Sequence, residues 1–203
     1  MLEAVGLLSV RQGRTLFKDL DVALAGGELL RVAGENGSGK TTLLKILCGL
    51  LAPDAGEVRW QGTPIRQLRE DYARQLVYLG HSPAVKDDLT AAENLAISCT
   101  LAGTAASADS VQAALGQYAI PADVPVRKLS QGQRRRAALA RLLLSESVPL
   151  WLLDEPFAAL DAPAAKLTED LIARHVARGH AVAYTTHQPS GIDASVARVI
   201  ELA

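Results

Sequence analysis

Leu29-Leu30-Arg31-Val32-Ala33-Gly34-Glu35-Asn36-Gly37-Ser38-Gly39-Lys40-Thr41-Thr42 decides how this chain is read. An apolar run enters a glycine-rich turn, and the turn opens a helix near Gly39. Gly34, Gly39, Lys40 and Thr41 fit G-x-x-x-x-G-K-[ST]. Gly34, Gly37 and Gly39 carry no Cβ, so main-chain N–H groups can converge on a phosphate. The following helix, Thr41 to Leu47, adds the positive end of its dipole. Lys40 is placed to reach the β/γ-phosphates, and the Thr41 hydroxyl to hold Mg²⁺. A strand before the motif and a helix after it favour nucleotide binding over a chance glycine turn.

The bulk numbers agree. The 203 residues allow one large α/β domain, or a core with a small insertion. With 49% hydrophobic residues a sizeable core is expected, and a net charge of −1 gives no basic field for nucleic acid. No apolar run reaches the ~18 residues of a membrane span. Met1-Leu2-Glu3-Ala4 lacks the basic start of a signal peptide. Cys48 and Cys99 have no ligand spacing and read as buried, reduced thiols.

Outward from the loop, residues 2–10 and 20–33 read as strands broken by Gly13 and Gly26-Gly27. Gln61-Gly62 suggests a hairpin joining Val58-Arg59-Trp60 to Thr63-Pro64-Ile65. Residues 66–74 read as one short helix and Leu76–Leu79 as a buried strand. From Thr90 to Ser147 the pattern is helical, opened by the capping box Thr90-Ala91-Ala92-Glu93. Ala102–Ala108 reads as a mobile loop, and a further helix is expected at about 132–146. Strands return at 150–154, 181–186 and 198–202, with a helix at about 163–178 closed by Gly179. This pattern implies an α/β fold with a mostly parallel sheet and an inserted helical segment.

Three further stretches carry chemistry. Leu150 to Leu153 is an apolar strand that ends in Asp154 and Glu155, on the edge where a parallel sheet presents its ligand groups. Asp154 is a candidate for Mg²⁺, directly or through water, and Glu155 for accepting a proton from an attacking water. Leu129-Ser130-Gln131-Gly132-Gln133 precedes a helix that starts with Arg134, Arg135 and Arg136. Ser130 is a candidate N-cap. The arginines oppose the helix dipole, which suits either a docked anion or, individually, a solvated basic face. His187 follows the strand at 181–186 and falls on the edge of the acid pair, within reach of a γ-phosphate.

Together these pieces resemble the ATP-binding cassette (ABC) ATPases over essentially the whole chain. The resemblance implies a P-loop NTPase core with N-terminal antiparallel strands and an inserted α-helical subdomain. Residues 1–203 would form a single cassette, with a RecA-like core and β subdomain at 1–82 and 148–203 and a helical subdomain at 83–147. The ATP-binding set would be Gly34, Glu35, Asn36, Gly37, Ser38, Gly39, Lys40, Thr41 and Thr42, with Mg²⁺ on Thr41 and Asp154. Glu155 would be the general base and His187 the switch histidine. Two cassettes would stack head to tail. Ser130, Gln131, Gly132 and Gln133 would then face the ATP of the partner subunit, giving the arginine helix its anions, and Asp161 would communicate across the dimer.

The chain also departs from the family pattern. His81 stands where a glutamine usually reaches toward Mg²⁺, and imidazole is a poor ligand for a hard cation. A role in coupling to a membrane subunit is the alternative. Arg11 and Gln12 replace an aromatic platform for adenine, so either Arg11 stacks its guanidinium or the base is held weakly. Gln131 replaces a glycine. Tyr78-Leu79-Gly80-His81, Leu89 to Leu95 and residues 130–136 resemble the haem-exporter ATPases of cytochrome c maturation. That likeness implies a peripheral protein on the cytoplasmic face of a bacterial inner membrane. It would dock to membrane subunits CcmB and CcmC and release the haem-loaded chaperone CcmE. A different small ABC exporter, a soluble cassette of DNA repair or translation, and a kinase are the competing readings.

Overall fold

The edges of two sheets meet at the glycine loop. The computed structural model describes residues 1–104, 106–187, 192 and 197–202. The chain opens with β1 (Leu2–Arg11) and β2 (Arg14–Leu24), an antiparallel pair turning at Gln12 and Gly13. Both turn residues have positive φ, 51° and 76°, the geometry that matches strand twist in a tight hairpin. The second strand therefore starts at Arg14, six residues earlier than the sequence suggests. Next come β3 (Leu29–Gly34), α1 (Lys40–Leu47), β4 (Ala55–Trp60) and β5 (Thr63–Pro64). The expected helix at 66–74 is two single turns, α2 (Ile65–Leu68) and α3 (Glu70–Ala73). They are separated by Arg69 at φ 47°, ψ −113°, a conformation no helix contains.

After β6 (Leu76–Leu79) the chain is helical: α4 (Ala91–Leu101), α5 (Ala108–Gln117) and α6 (Gln131–Leu139). The helix expected at 132–146 tightens to a 3₁₀ turn over Ala140–Leu144. The capping box of Thr90 and Glu93 forms as read. The segment between α4 and α5 includes Ala105, which lies outside the described residues, as do most of 188–196. The chain then returns through β7 (Leu150–Leu153), α7 (Ala162–Ala177), β8 (Ala181–Thr185) and β9 (Ala197–Leu202).

The first sheet is antiparallel in the order β2-β1-β4-β5 and the second parallel in the order β6-β7-β8-β3-β9. Every residue of β7 and β8 is buried, as both faces of an interior parallel strand must be. One face packs on Leu43, Leu44, Ile46 and Leu47 of α1, the other on the core shared with α4–α7. The expected α/β architecture is thus the observed one. Of the two cysteines only Cys99 is fully buried. Cys48 caps the end of α1 half-exposed, and burial raises its thiol to about 11. Among the described residues no helix is long and apolar enough to cross a membrane.

Below β7 the Trp151 indole stacks on His175 of α7, ring centroids 3.6 Å apart and planes 10° from parallel. His175 is 1% exposed, and its Nδ1 faces His180 Nδ1 at 3.4 Å. Burial, helped by His180 and Arg178, pushes its pKa down from 6.5 to about 3. Above pH 6.5 both folded and unfolded chains keep this ring neutral. Below it the unfolded chain takes up a proton the folded one refuses, so stability falls until the pH reaches about 3. At about pH 4.5 the loss would be roughly 3 kcal/mol, two units at ~1.4 kcal/mol each. His175→Phe keeps a ring against Trp151 and should flatten the acid limb of a melting-temperature profile between pH 7 and 4.

Candidate functional site

The turn from Gly34 to Gly39 is shaped by its neighbours. Gly34 has φ 137°, and a Cβ there would lie 2.3 Å from the Leu202 carbonyl oxygen and 2.6 Å from Ser38 Oγ. Gly39 has φ 103°, with Leu16 and Phe17 of β2 pressed to 3.1–3.3 Å of where its Cβ would be. A side chain at either place would meet both steric overlap and a strained backbone. The chain enters α1 with its first amide groups turned into the loop.

Lys40 is 7% exposed and folds back over the loop, its Nζ donating to Gly34 O at 2.8 Å and Glu35 O at 2.7 Å. Burial lowers its pKa, opposed by the Asp154 and Glu155 carboxylates. Thr41 Oγ1 donates to Asp154 Oδ2 at 2.8 Å, a bond spanning 113 residues of sequence. Thr185 at the end of β8 donates to Asp154 Oδ1 at 2.7 Å, and its oxygen accepts the Glu155 N–H at 2.9 Å. Glu155 stands at φ 53° and is 8% exposed. Its Oε2 accepts the His187 N–H at 3.2 Å, and His187 Nε2 lies 3.3 Å from Oε1.

Lys40, Thr41, Asp154, Glu155 and His187 line a cleft of about 560 Å³, together with Asn36, His81 and Leu16, and Thr185 lies buried behind it. That volume lies within the range of small-molecule sites. Thr41 and Asp154 offer hard oxygen donors side by side, the set Mg²⁺ prefers when phosphate and water complete its shell. Ser38 Oγ, buried beside them in the loop, has no hydrogen-bond partner among the described residues. The donors thus fit a divalent cation carried in with a polyphosphate.

Other candidates lie apart. Ser130, Gln131, Gly132 and Gln133 form the N-terminal turn of α6 and do not line this cleft. Ser130 accepts from Gln133 N at 3.2 Å, and Gln133 Oε1 accepts from Ser130 N at 2.9 Å, a complete capping box. Asp161 caps α7, accepting from Ala164 N at 3.0 Å, and pairs with Arg136 at 3.2 Å. Arg11 is occupied by Asp54 at 3.0 Å and by the Val10 and Ala52 carbonyls. Leu16, not Arg11, lies at the cleft. His81 is in the cleft wall.

Of the α6 arginines, Arg135 is not part of a solvated basic face, while Arg134 and Arg136 are partly exposed in ion pairs within the chain. Arg134 pairs with Asp87 at 2.8 Å and Arg136 with Asp161. Arg135 is 4% exposed and gives its guanidinium to main-chain carbonyls. Sequence reasoning missed Arg135 and Thr185 as parts of the site. A signal for the first was available: Arg135 is four residues before the buried Leu139, hence on the inward face of α6. For Thr185 there was none, since its role comes from β8 lying beside β7. Thr185→Val preserves shape while leaving the Glu155 N–H unpaired, and should cost about 1–3 kcal/mol. A lowered urea midpoint with unchanged m-value would register it.

With the geometry in place, likenesses to known proteins can be weighed. Residues 17–158 match the ABC transporter family. The cytochrome c biogenesis ATP-binding export protein CcmA of Nitrosomonas europaea is 50% identical over 190 residues, covering 93% of this chain and 89% of that protein. The protein of the same name from Escherichia coli K12 is 46% identical, covering 100% of this chain and 96% of that protein. Among solved structures, the ATP-binding subunit of an ABC transporter superposes with a TM-score of 0.84 at 23% identity, covering 100% of this chain and 88% of that one. The cassette MJ0796, solved as a dimer in a post-hydrolysis state with ADP and Pi, gives 0.83 at 24% identity, covering 100% and 94%. The structural likenesses speak to fold, the sequence likenesses to lineage. The chain belongs to the ABC transporter family as an ATP-binding cassette, and within it to the CcmA proteins of cytochrome c biogenesis.

Proposed function

We propose that this cassette is the ATP-hydrolysing subunit of a membrane complex of the haem-exporter type in cytochrome c maturation. The observation that carries the hydrolytic part is the hydrogen-bonded chain Thr41–Asp154–Thr185–Glu155 along one side of the phosphate cleft. Its assignment to haem export rests on near-half identity to export proteins of cytochrome c biogenesis over the whole chain.

In this reading, residues 34–42 wrap the phosphates of ATP with main-chain N–H groups. Lys40 leaves the Gly34 and Glu35 carbonyls, its present acceptors, for the β/γ-phosphates. Thr41 and Asp154 would hold Mg²⁺, which supplies charge neutralisation on the phosphate oxygens. Glu155 accepts a proton from the attacking water. His187, already bonded to Glu155 through its N–H, keeps that carboxylate oriented and presents its ring to the γ-phosphate. His81, in the cleft wall but a soft ligand, is assigned to coupling with a membrane subunit rather than to the cation.

The Ser130 turn stands clear of the chain's own cleft, which supports its use on another ATP. Two copies of the single cassette 1–203 would stack head to tail. Ser130, Gln131, Gly132 and Gln133 would close on the partner's triphosphate, with Asp161 at the junction. Membrane subunits of the CcmB and CcmC kind would hold the pair to the cytoplasmic face of the inner membrane. Hydrolysis would drive release of the haem-loaded chaperone CcmE.

Glu155→Gln should bind ATP as the wild type does and lose turnover by about 10² or more. Equilibrium binding beside phosphate release checks both, and full turnover would remove Glu155 as base. Ser130→Arg in the Glu155→Gln background should stay monomeric with ATP in sedimentation, where Glu155→Gln alone dimerises. His81→Ala should leave the apparent Mg²⁺ affinity unchanged while loosening coupling to the assembled complex. A pull-down from detergent-solubilised membranes should recover integral membrane subunits.

A further inference from the structure

Arg135 is buried and bonds four main-chain carbonyls outside its own helix. It enters from the first turns of that helix, and its guanidinium meets the ends of two neighbouring strands of the parallel sheet. Nη2 donates to Asp154 O and Glu155 O, both at 2.7 Å, just past β7. Nη1 donates to Gly80 O at 2.7 Å and His81 O at 3.3 Å, just past β6. One planar group thus serves two pairs of consecutive carbonyls. A guanidinium can do this because its donors are fixed in a fork, whereas an ammonium is a point donor.

The site gives these bonds a purpose. Beyond the strand ends the carbonyls have left the ladder, and a buried carbonyl without a donor is costly. Glu155 is also held left-handed at φ 53°, a conformation an L-residue keeps only when its surroundings impose it. Four contacts do so. Thr185 accepts the Glu155 N–H, Arg135 and the Ala158 N–H donate to its carbonyl, and His187 donates to its carboxylate. Arg135 among the four also ties Glu155 to the Gly80–His81 segment and to the helix whose first turn carries Ser130.

We propose that Arg135 is a positioning residue of the hydrolytic site. It locks the Asp154–Glu155 peptide units to the Gly80–His81 loop and so aims the Glu155 carboxylate into the cleft. The inference rests on Glu155 serving as the base. It adds that the aim of that base is set by the helix bearing the serine turn, not by the phosphate loop alone. Loss of the fork leaves the Glu155 carbonyl on the Ala158 N–H at 3.1 Å alone and unties the acid pair from the Gly80–His81 loop. A displacement of about 1 Å in a reacting group is enough to lower the rate of the chemical step about 10²-fold.

The test uses the full chain in its assembled membrane complex. Arg135→Lys keeps the charge and Arg135→Gln keeps a neutral donor; neither spans both carbonyl pairs. Both should lower kcat at least about tenfold, with the affinity for a fluorescent ATP analogue changed less than about threefold. In the Glu155→Gln background the same substitutions should lower the residual rate no further, because their effect passes through Glu155. Arg135→Lys serves should Arg135→Gln fail to fold. A wild-type kcat in Arg135→Lys would overturn the proposal. So would an affinity loss matching the loss of rate, which marks a general strut, or an undiminished effect in the Glu155→Gln background. Full turnover by Glu155→Gln alone would instead fault the base assignment, and the two failures are thereby separable.

Discussion

A single buried carboxylate holds this site together. Asp154 is 1% exposed and accepts a hydrogen bond from the Thr41 hydroxyl on its Oδ2 and another from the Thr185 hydroxyl on its Oδ1. An unpaired carboxylate at that depth would be costly. With two short bonds, and Lys40 and Arg135 nearby, the charge is compensated. The consequence is geometric. Thr41 lies in the first turn of the helix after the glycine loop, Asp154 directly follows β7, and Thr185 ends β8. Three segments from distant parts of the chain are thus fixed to within a hydrogen bond. The acid side of the cleft is thereby held by hydrogen bonds within the chain itself, the kind of preorganisation that favours electrostatic stabilisation.

The sheet order makes this possible. In β6-β7-β8-β3-β9 the strands all run the same way, so their carboxyl ends share one edge. The glycine loop leaves β3, the acid pair leaves β7, and His187 follows β8. Among the described residues, those of 83–147 contribute no strand to that edge. They send Arg135 back to it, little more than one turn along the helix that the Ser130 turn opens. The site is therefore joined to the helical stretch, and the Arg135 guanidinium bonds the α6 helix directly to the acid pair.

Much of this was legible from residues alone. The glycine spacing, the strand ending in Asp154-Glu155 and the Thr90 capping box are local patterns with local causes, and each is observed as read. The failures were also local in origin. The β1–β2 hairpin was cut short because Gln12 is not a residue that advertises a left-handed turn. The break at Arg69 was invisible because arginine is an ordinary helix former. Arg135 was misjudged because charge suggests solvent, while a guanidinium can be buried wherever carbonyls are waiting for donors.

The sequence by itself determined the phosphate loop, the alternation of strands and helices, and the lineage, because each is carried by residues close together in the chain. The tertiary structure alone decided that Thr185 joins Asp154 to Glu155, that Leu16 rather than Arg11 lies at the cleft, and that Arg135 spans two strand ends. Those facts depend on which strand lies beside which and on the few ångströms between them. Hydrogen bonds are satisfied in space, and their partners here stand between 19 and 113 residues apart along the chain.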